Sequence, residues 1–314
     1  MVVDLTISIV SGSQPDLTID CLRSLTESLD ARLVCEIFLV DNASPTKVGQ
    51  QAYSLFPHLN LIRNHERKGF AANHNQVLRQ CSGRFVLLLN DDTIVLNDAC
   101  QRMVVAGDEN QTVGFFGARL LNPDLTLQRS AHRFPSPARA FVESFCANSL
   151  GRIFPWFDDY SNWSHEEKRK VEFLSGAALM IRRESIDAAG LLDERFFMYA
   201  EEADWCLRGK RAGWETMFVP DARFIHYGGQ SSIGLSAERS VEFLRSHEYF
   251  IRKHHGTIGL TMYKLFVFIK HMPRLTVALL FPSWRNRGRT ELDIVAWSLG
   301  MLNRPGLGDL SQRI

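Results

Sequence analysis

The sequence lacks a Cys-x-x-Cys pair. Its six cysteines (Cys21, Cys35, Cys81, Cys100, Cys146 and Cys206) are scattered along 314 residues. That spacing argues against a thiolate zinc site and reads as reduced core thiols in a cytosolic compartment. The opening MVVDLTISIV has no basic segment and no long apolar stretch, and Asp4 interrupts it. It reads as a first strand rather than a signal peptide. Charge of one sign is also missing: 36 basic against 35 acidic residues leave a formal charge of +1, with no pull toward nucleic acid. No G-x-G-x-x-G follows the first strand and no G-x-x-x-x-G-K-[ST] occurs, which speaks against dinucleotide and P-loop sites. The most apolar segment, 260–281, is broken by Lys264, Lys270, His271, Pro273 and Arg274, so no clean transmembrane helix is expected. There is no internal repeat and no low-complexity tract.

What the sequence does have is 45% apolar and 23% charged residues, enough for a sizeable core. Its first third alternates. LTISIV (5–10) is rich in β-formers and ends in SGSQPD. Asp16 reads as a helix N-cap, and Leu17, Cys21, Leu22, Leu25 and Leu29 recur at helical spacing. Strands are expected at 35–40, 59–64, 84–90 and 112–119, with helices near 46–56, 70–80 and 97–107. This alternation implies βαβ units and an α/β fold with a mostly parallel sheet. Further on, 171–181 and 215–219 read as strands, and the chain beyond Val241 as helical, apolar and basic.

In such sheets ligands bind at the carboxyl ends of the strands, and polar clusters stand there: SGSQ, DNAS, RNHERKGF and NDDT. In LLLNDDT an apolar run stops at Asp91 and Asp92. Two strand-end carboxylates suit a hard divalent cation held with substrate phosphates; a solvated turn is the competing account. Asp41, ending the 35–40 strand, suits a ribose or base edge or an Asx-turn. Arg63, Asn64, Arg67, Lys68, Gly69, Asn73 and Asn75 gather basic and amide groups around a helix start, a place for phosphate or sugar oxygens or a plain solvated loop. In YAEEADWCLRGKRAGW, Glu201 and Glu202 fall in a first helical turn. There they serve as a general base or simply complement the helix dipole. Asp204 and Arg208 form an i,i+4 pair, and Gly213 is a C-cap. His226, beside Gly228 and Gly229, is a ligand or a structural histidine.

Taken in order, VDNAS, the N-x-x-x-x-GF-x-x-x-x-N run (Asn64, Gly69, Phe70, Asn75), LLLNDDT, FLSGAALMIRR, FFMYAEEADWCLR and HYGGQSS resemble the family-2 glycosyltransferases. The likeness is greatest to the rhamnosyltransferase-like branch that builds bacterial surface polysaccharide, and it covers residues 4–232. The resemblance implies the GT-A fold, a Rossmann-like sheet with flanking helices. Residues 1–119 form its nucleotide-sugar-binding half and 120–240 its acceptor-binding half. A helical, basic and apolar extension, 241–314, follows. It implies an inverting enzyme that moves a sugar, rhamnose at the family level, from a dTDP or UDP donor to a glycan or lipid-linked acceptor.

Carried over by position, Ser11, Asp41, Asn42, Asn64, Gly69, Asn73, Asn75, Asn90 and Asp91 contact the nucleotide-sugar. Asp92 and His226 hold Mg²⁺ or Mn²⁺. Glu202 is the base, with Glu201 as competitor, because Glu202 stands one methylene longer than the family's usual Asp. Ser175, Gly176 and Asp204 lie on the acceptor side. Asn90 replaces the Asp that some relatives have, so a two-carboxylate chelate across the triplet is not expected.

The extension, with SWRNRGR (283–289) and Trp284, reads either as an interfacial segment on an anionic membrane or as a helical cap or homodimer contact. The implied location is the cytoplasm, peripheral at the inner face of the membrane. Two other functions fit the fold. A non-catalytic nucleotide-sugar or glycan-binding protein would lack metal-dependent donor hydrolysis. A nucleotidyltransferase would need a glycine-rich basic loop where SGSQPD stands.

Overall fold

The computed structural model describes residues 2–12, 14–145, 158–228, 236–281, 285–302 and 304–311. Cys146, Gly229 and the rest of the HYGGQSS run beyond Gly228, Trp284, and residues 151–157 of the turn-rich 151–170 stretch fall outside these. The core is a ten-stranded sheet whose strands lie side by side in the order Asn60–Asn64, Cys35–Asn42, Leu5–Ser11, Phe85–Asn90, Ala178–Arg182, Val113–Leu121, Glu215–His226 and Thr93–Val95, with Leu127–Gln128 on Val113–Leu121 and Arg169–Val171 on Glu215–His226. Its first part is β1 (Leu5–Ser11), α1 (Pro15–Ser28), β2 (Cys35–Asn42), α2 (Val48–Leu55), β3 (Asn60–Asn64), α3 (Phe70–Leu78) and β4 (Phe85–Asn90). These four strands are parallel.

Alternation along β1 builds both faces of the sheet. Leu5, Ile7 and Ile9 join Cys21, Leu22, Leu25, Leu87 and Leu89 in one core. Thr6 and Ser8 face the other way, fully buried. There the Ser8 hydroxyl pairs with His74 Nδ1 of α3 at 2.8 Å. Burial drives the His74 pKa down to about 3, so the ring sits neutral in the core. Asp16 is not the N-cap of α1: the helix starts at Pro15, whose fixed φ and missing N–H suit the first position, and Asp16 lies inside the first turn.

The second part is more irregular than its apolar pattern suggests. The short β5 (Thr93–Val95) leads into α4 (Ala99–Glu109) and β6 (Val113–Leu121), which runs past the expected boundary at 119. Then come β7 (Leu127–Gln128), β8 (Ala131–His132) and α5 (Pro137–Phe145). The apolar run 171–181 is three strands, not one: β9 (Arg169–Val171), β10 (Phe173–Leu174) and β11 (Ala178–Arg182). Between the last two, Ser175 and Gly176 turn the chain. β11 is antiparallel to both neighbours, β4 and β6. After α6 (Arg183–Ala189) and α7 (Glu201–Arg211), β12 (Glu215–His226) continues well beyond 219. It does so by shifting register between Val219 and Arg223, around Pro220. Gly213, at φ 94, follows the Ala212 C-cap of α7.

The C-terminal helices are α8 (Ser236–Leu280), α9 (Arg285–Ser298) and α10 (Leu307–Ser311). α8 is two helices joined at Gly256, whose φ of 70 only glycine adopts without strain. Past this kink α8 runs antiparallel to α9, with Lys264 over Trp297 and His271 bonded to Glu291. No described helix is long and apolar enough to cross a membrane. The five described cysteines are free thiols, and burial pushes those of Cys21, Cys35 and Cys206 up to about 12.

Neutral buried His74 has a pH signature. The unfolded chain protonates this ring near 6.5 while the fold resists to about 3, so its contribution is full above pH 6.5 and shrinks as pH falls through that window. The limiting slope is about 1.4 kcal/mol per pH unit. Urea melts of wild type and His74→Gln at pH 7 and pH 5 are expected to show wild type losing more stability on acidification than the variant. Equal losses would show that His74 is not held neutral.

Candidate active site

Strand register creates the rim. Ser11 stands beside Asp41, Val10 beside Asn90 and Asn42 beside Asn64. The ends of β1, β2, β3 and β4 therefore open on one edge, where the polar clusters follow. Within NDDT the two carboxylates diverge. Asp91 turns back toward α1, accepting from Thr18 Oγ1 at 3.1 Å and from the Gly12 N–H at 3.4 Å, with Ser11 close by. Burial, with the charge of Asp92 beside it, raises its pKa to about 6. Asp92 turns toward β12, where its Oδ1 lies 3.2 Å from His226 Nε2. The Tyr227 N–H donates to the Asp92 carbonyl at 3.0 Å, locking the two chains together.

His226 is oriented from behind. Gln128 Nε2 donates to the His226 carbonyl at 3.0 Å, which directs Gln128 Oε1 at His226 Nδ1, 2.6 Å away. An acceptor there places the ring proton on Nδ1 and leaves the Nε2 lone pair facing Asp92 and the Asn90 amide, 3.2 Å away. A 3.2 Å gap between carboxylate and imidazole donors suits two ligands on one octahedral cation, each at about 2.1 Å. One carboxylate and one imidazole fit Mg²⁺ or Mn²⁺ only if substrate oxygens complete the shell. Among the described residues no third His, Cys, Asp or Glu joins them.

The amides of the rim hold its loops. Asn42 bonds both the N–H and the carbonyl of Lys68, at 2.8 and 2.9 Å. Asn64 Nδ2 donates to Asn73 Oδ1 at 2.6 Å, and Asn73 donates to the Lys68 and Gly69 carbonyls. Asp41 accepts from the Ser44 and Gly49 N–H groups, the Asx-turn account of this residue, and remains 7% exposed. Gly69 lets α3 approach the 197–200 loop: a Cβ there would lie 2.4 Å from the Phe197 carbonyl. That carbonyl accepts the Phe70 N–H at 2.8 Å.

Glu201 and Glu202 open α7 after Tyr199 and Ala200, both left-handed at φ 72 and 64. Two successive non-glycine residues there store strain of the kind found at functional sites. Each glutamate has a buried Oε2 without a hydrogen-bond partner. Burial raises both pKa values, and for Glu201 the charge of Glu202 adds to it. The Glu202 carboxylate accepts the Gly176 N–H. One residue on, the Ala177 carbonyl accepts the Asn90 N–H at 3.0 Å. The 175–177 turn thus joins the start of α7 to the end of β4. Glu202 and Ser175 also line a cleft of about 880 Å³ that Glu201 does not.

Two expected site residues have other work. Asn75 ties α3 to the 192–194 loop, donating to the Leu192 carbonyl and Glu194 and accepting the Leu192 N–H. Asp204 is fully buried against α8, bonded to His254, Lys253 and Arg208. Burial pushes its pKa up, but these donors outweigh it and hold the carboxyl low. Conversely, Gln128 and Thr18 shape the site without any motif to announce them.

The profile of Glycosyl transferase family 2 matches residues 12–190. A relative from Mycobacterium tuberculosis, N-acetylglucosaminyl-diphospho-decaprenol L-rhamnosyltransferase, is 25% identical over 241 residues, 73% of this chain and 78% of its own. The O-antigen biosynthesis protein RfbC of Myxococcus xanthus is 25% identical over 74% of this chain but only 18% of its own. Among solved structures, the mannosyltransferase PcManGT from Pyrobaculum calidifontis with GDP-Man and Mn²⁺ aligns at TM-score 0.60 and 14% identity, over 95% of this chain and 86% of that one. GalNAc-T7 with UDP, GalNAc and Mn²⁺ aligns with the same score and identity, over 95% of this chain and 56% of that one. The fold is GT-A, and the chain belongs to glycosyltransferase family 2, with relatives that include a rhamnosyltransferase.

Proposed function

We propose that the protein transfers a sugar, rhamnose by analogy with its M. tuberculosis relative, from a dTDP- or UDP-linked donor to a hydroxyl of a glycan or lipid-linked acceptor, with inversion. The observation that carries this reading is the pair of half-sites joined by the 175–177 turn: Asp92 with His226 on one side, Glu202 on the other. Asp92 and His226 would hold Mg²⁺ or Mn²⁺, which supplies positive charge to the diphosphate as it leaves. Neighbours of the same fold contain UDP or GDP-Man with Mn²⁺.

Glu202 is the base. It lines the cleft, whereas Glu201 is 3% exposed and stays behind it. Its raised pKa makes its ionised form a stronger proton acceptor near neutrality. The acceptor hydroxyl gives its proton to the Glu202 carboxylate, and its oxygen attacks the anomeric carbon from the face opposite the diphosphate. One base and no carboxylate nucleophile give inversion. Asp91 and the Asn42–Asn64–Asn73 network position the rim against which the nucleotide lies. Work at the inner face of the cytoplasmic membrane suits the exposed Leu279, Leu280 and Phe281 at the end of α8.

Three measurements test this. Glu202→Gln is expected to lower transfer by about 10²–10⁴-fold with an unchanged melting temperature, while Glu201→Gln keeps most activity; the reverse order would move the base to Glu201. As pH falls, kcat/KM of wild type should decline through a pKa above the ordinary carboxylate value, because the base must be ionised; a plateau down to pH 4.5 would remove Glu202 from the role. Gln128→Leu frees the His226 ring and should raise the Mn²⁺ concentration for half-activity about 10–100-fold. Indifference to added metal in wild type and variant alike would remove the cation from the mechanism, and metal-dependent donor hydrolysis would exclude a purely binding role.

A further inference from the structure

Glu202 shares its cleft with His132 of β8. β8 pairs antiparallel with β10, Ala131 against Leu174 and His132 against Phe173. Ala131 and Leu174 are fully buried in the core, so alternation along the two strands turns His132 and Phe173 to the cleft. The pair leads directly to the base. The Ser175 N–H donates to the Ser130 carbonyl at 2.8 Å, and the next N–H, that of Gly176, meets the Glu202 carboxylate. Aromatic rings hold His132 in place. Its ring lies 5.3 Å from that of Phe173, tilted by 31°. Phe173 stacks on Phe134 at 5.9 Å, and Lys210 lies over Phe134 at 5.8 Å. This column orients the imidazole without using its nitrogens, and neither nitrogen has a hydrogen-bond partner among the described residues.

The surroundings of His132 are otherwise engaged. Basic side chains beside it are already paired, Arg129 and Arg139 with Asp159 and Lys270 with Glu143. The other histidines of the lining bond the Phe243 carbonyl and Glu291. Burial, with the charge of Arg129 nearby, drives the His132 pKa down to about 4, so the ring is neutral and offers one N–H and one lone pair. A hydroxyl can meet either. A carboxylate or phosphate can meet only the N–H. The ring faces of His132 and Phe173 supply apolar contact for the C–H side of a pyranose. We infer that His132 is a specificity-determining contact for the acceptor: it hydrogen-bonds a hydroxyl of an uncharged sugar ring that packs beside Phe173, and so selects the sugar presented to Glu202. The inference rests on Glu202 being the base, since that places the acceptor in this cleft.

Binding tests this apart from catalysis. Saturation-transfer NMR titrations use the full chain with EDTA and without donor, and the methyl glycosides of glucose, galactose, N-acetylglucosamine and glucuronic acid as probes. At least one neutral glycoside is expected to bind, and His132→Ala should weaken it about five- to tenfold, the scale of one or two neutral hydrogen bonds. His132→Gln, which keeps a donor and an acceptor, should regain more of that affinity than His132→Phe, which keeps only a ring; these two also give the reading if the alanine variant does not fold. The inference is overturned if no neutral glycoside binds, if the glucuronide binds more tightly than the glucoside, or if His132→Phe binds as wild type does. Glu202→Gln should bind the neutral glycoside as wild type does. Transfer that survives in Glu202→Gln overturns the base assignment and leaves the binding result standing. An unchanged affinity in His132→Ala overturns the inference and leaves the base assignment standing.

Discussion

Two adjacent carboxylates at the end of a buried strand cannot point the same way without repelling each other in a poorly solvated place. The chain resolves this by turning Asp91 and Asp92 in opposite directions. Asp91 goes back to Thr18 and Gly12 at the start of α1; Asp92 goes forward to His226 at the end of β12. The site depends on this split. It fastens β4 to the first loop on one side and to the last strand of the sheet on the other. One carboxylate is left facing an imidazole across a gap that a cation can occupy. The repulsion that makes DD awkward in a core is reduced by separation and, for Asp91, by a pKa raised through burial.

The second acidic pair follows a different logic. Glu201 and Glu202 are held in a helix start that has no side-chain cap and follows two left-handed residues. Packing against the 69–70 turn, through the Phe197 carbonyl, constrains the loop just before them. The strain, the burial and the orphaned oxygens are unfavourable for folding alone. They are compensated by the dense surroundings, including the Asp204 network that anchors α7 to α8. The raised carboxyl pKa values follow from that burial.

Much of the architecture could be read from the chain. The parallel β1–β4 half follows from alternation of apolar runs with helical spacing, and each strand was expected within two residues of its observed bounds. The later half was less readable. The run 171–181 looks like a single strand because Val171, Phe173, Leu174 and Ala178–Ile181 are all apolar. It is broken because Ser175 and Gly176 form a turn that reverses the chain into an antiparallel strand. β5 is three residues long and gains its ladder only from β12, far away in sequence. Asn75 and Asp204 carried the right chemistry in the right motifs, but their side chains point into the scaffold, which spacing does not reveal.

By itself the sequence determined the apolar periodicity, the strand-end polar clusters and the order of motifs, because these are properties of neighbouring residues. Only the tertiary structure decided which clusters meet. The 175–177 turn bridges Glu202 and Asn90, Gln128 sets the tautomer of His226, and a kinked helix folds back over the cleft that Glu202 lines. Each of these contacts joins residues between 26 and 136 positions apart or depends on them, and the free energy that brings such residues together is that of packing the whole core rather than of any local pattern.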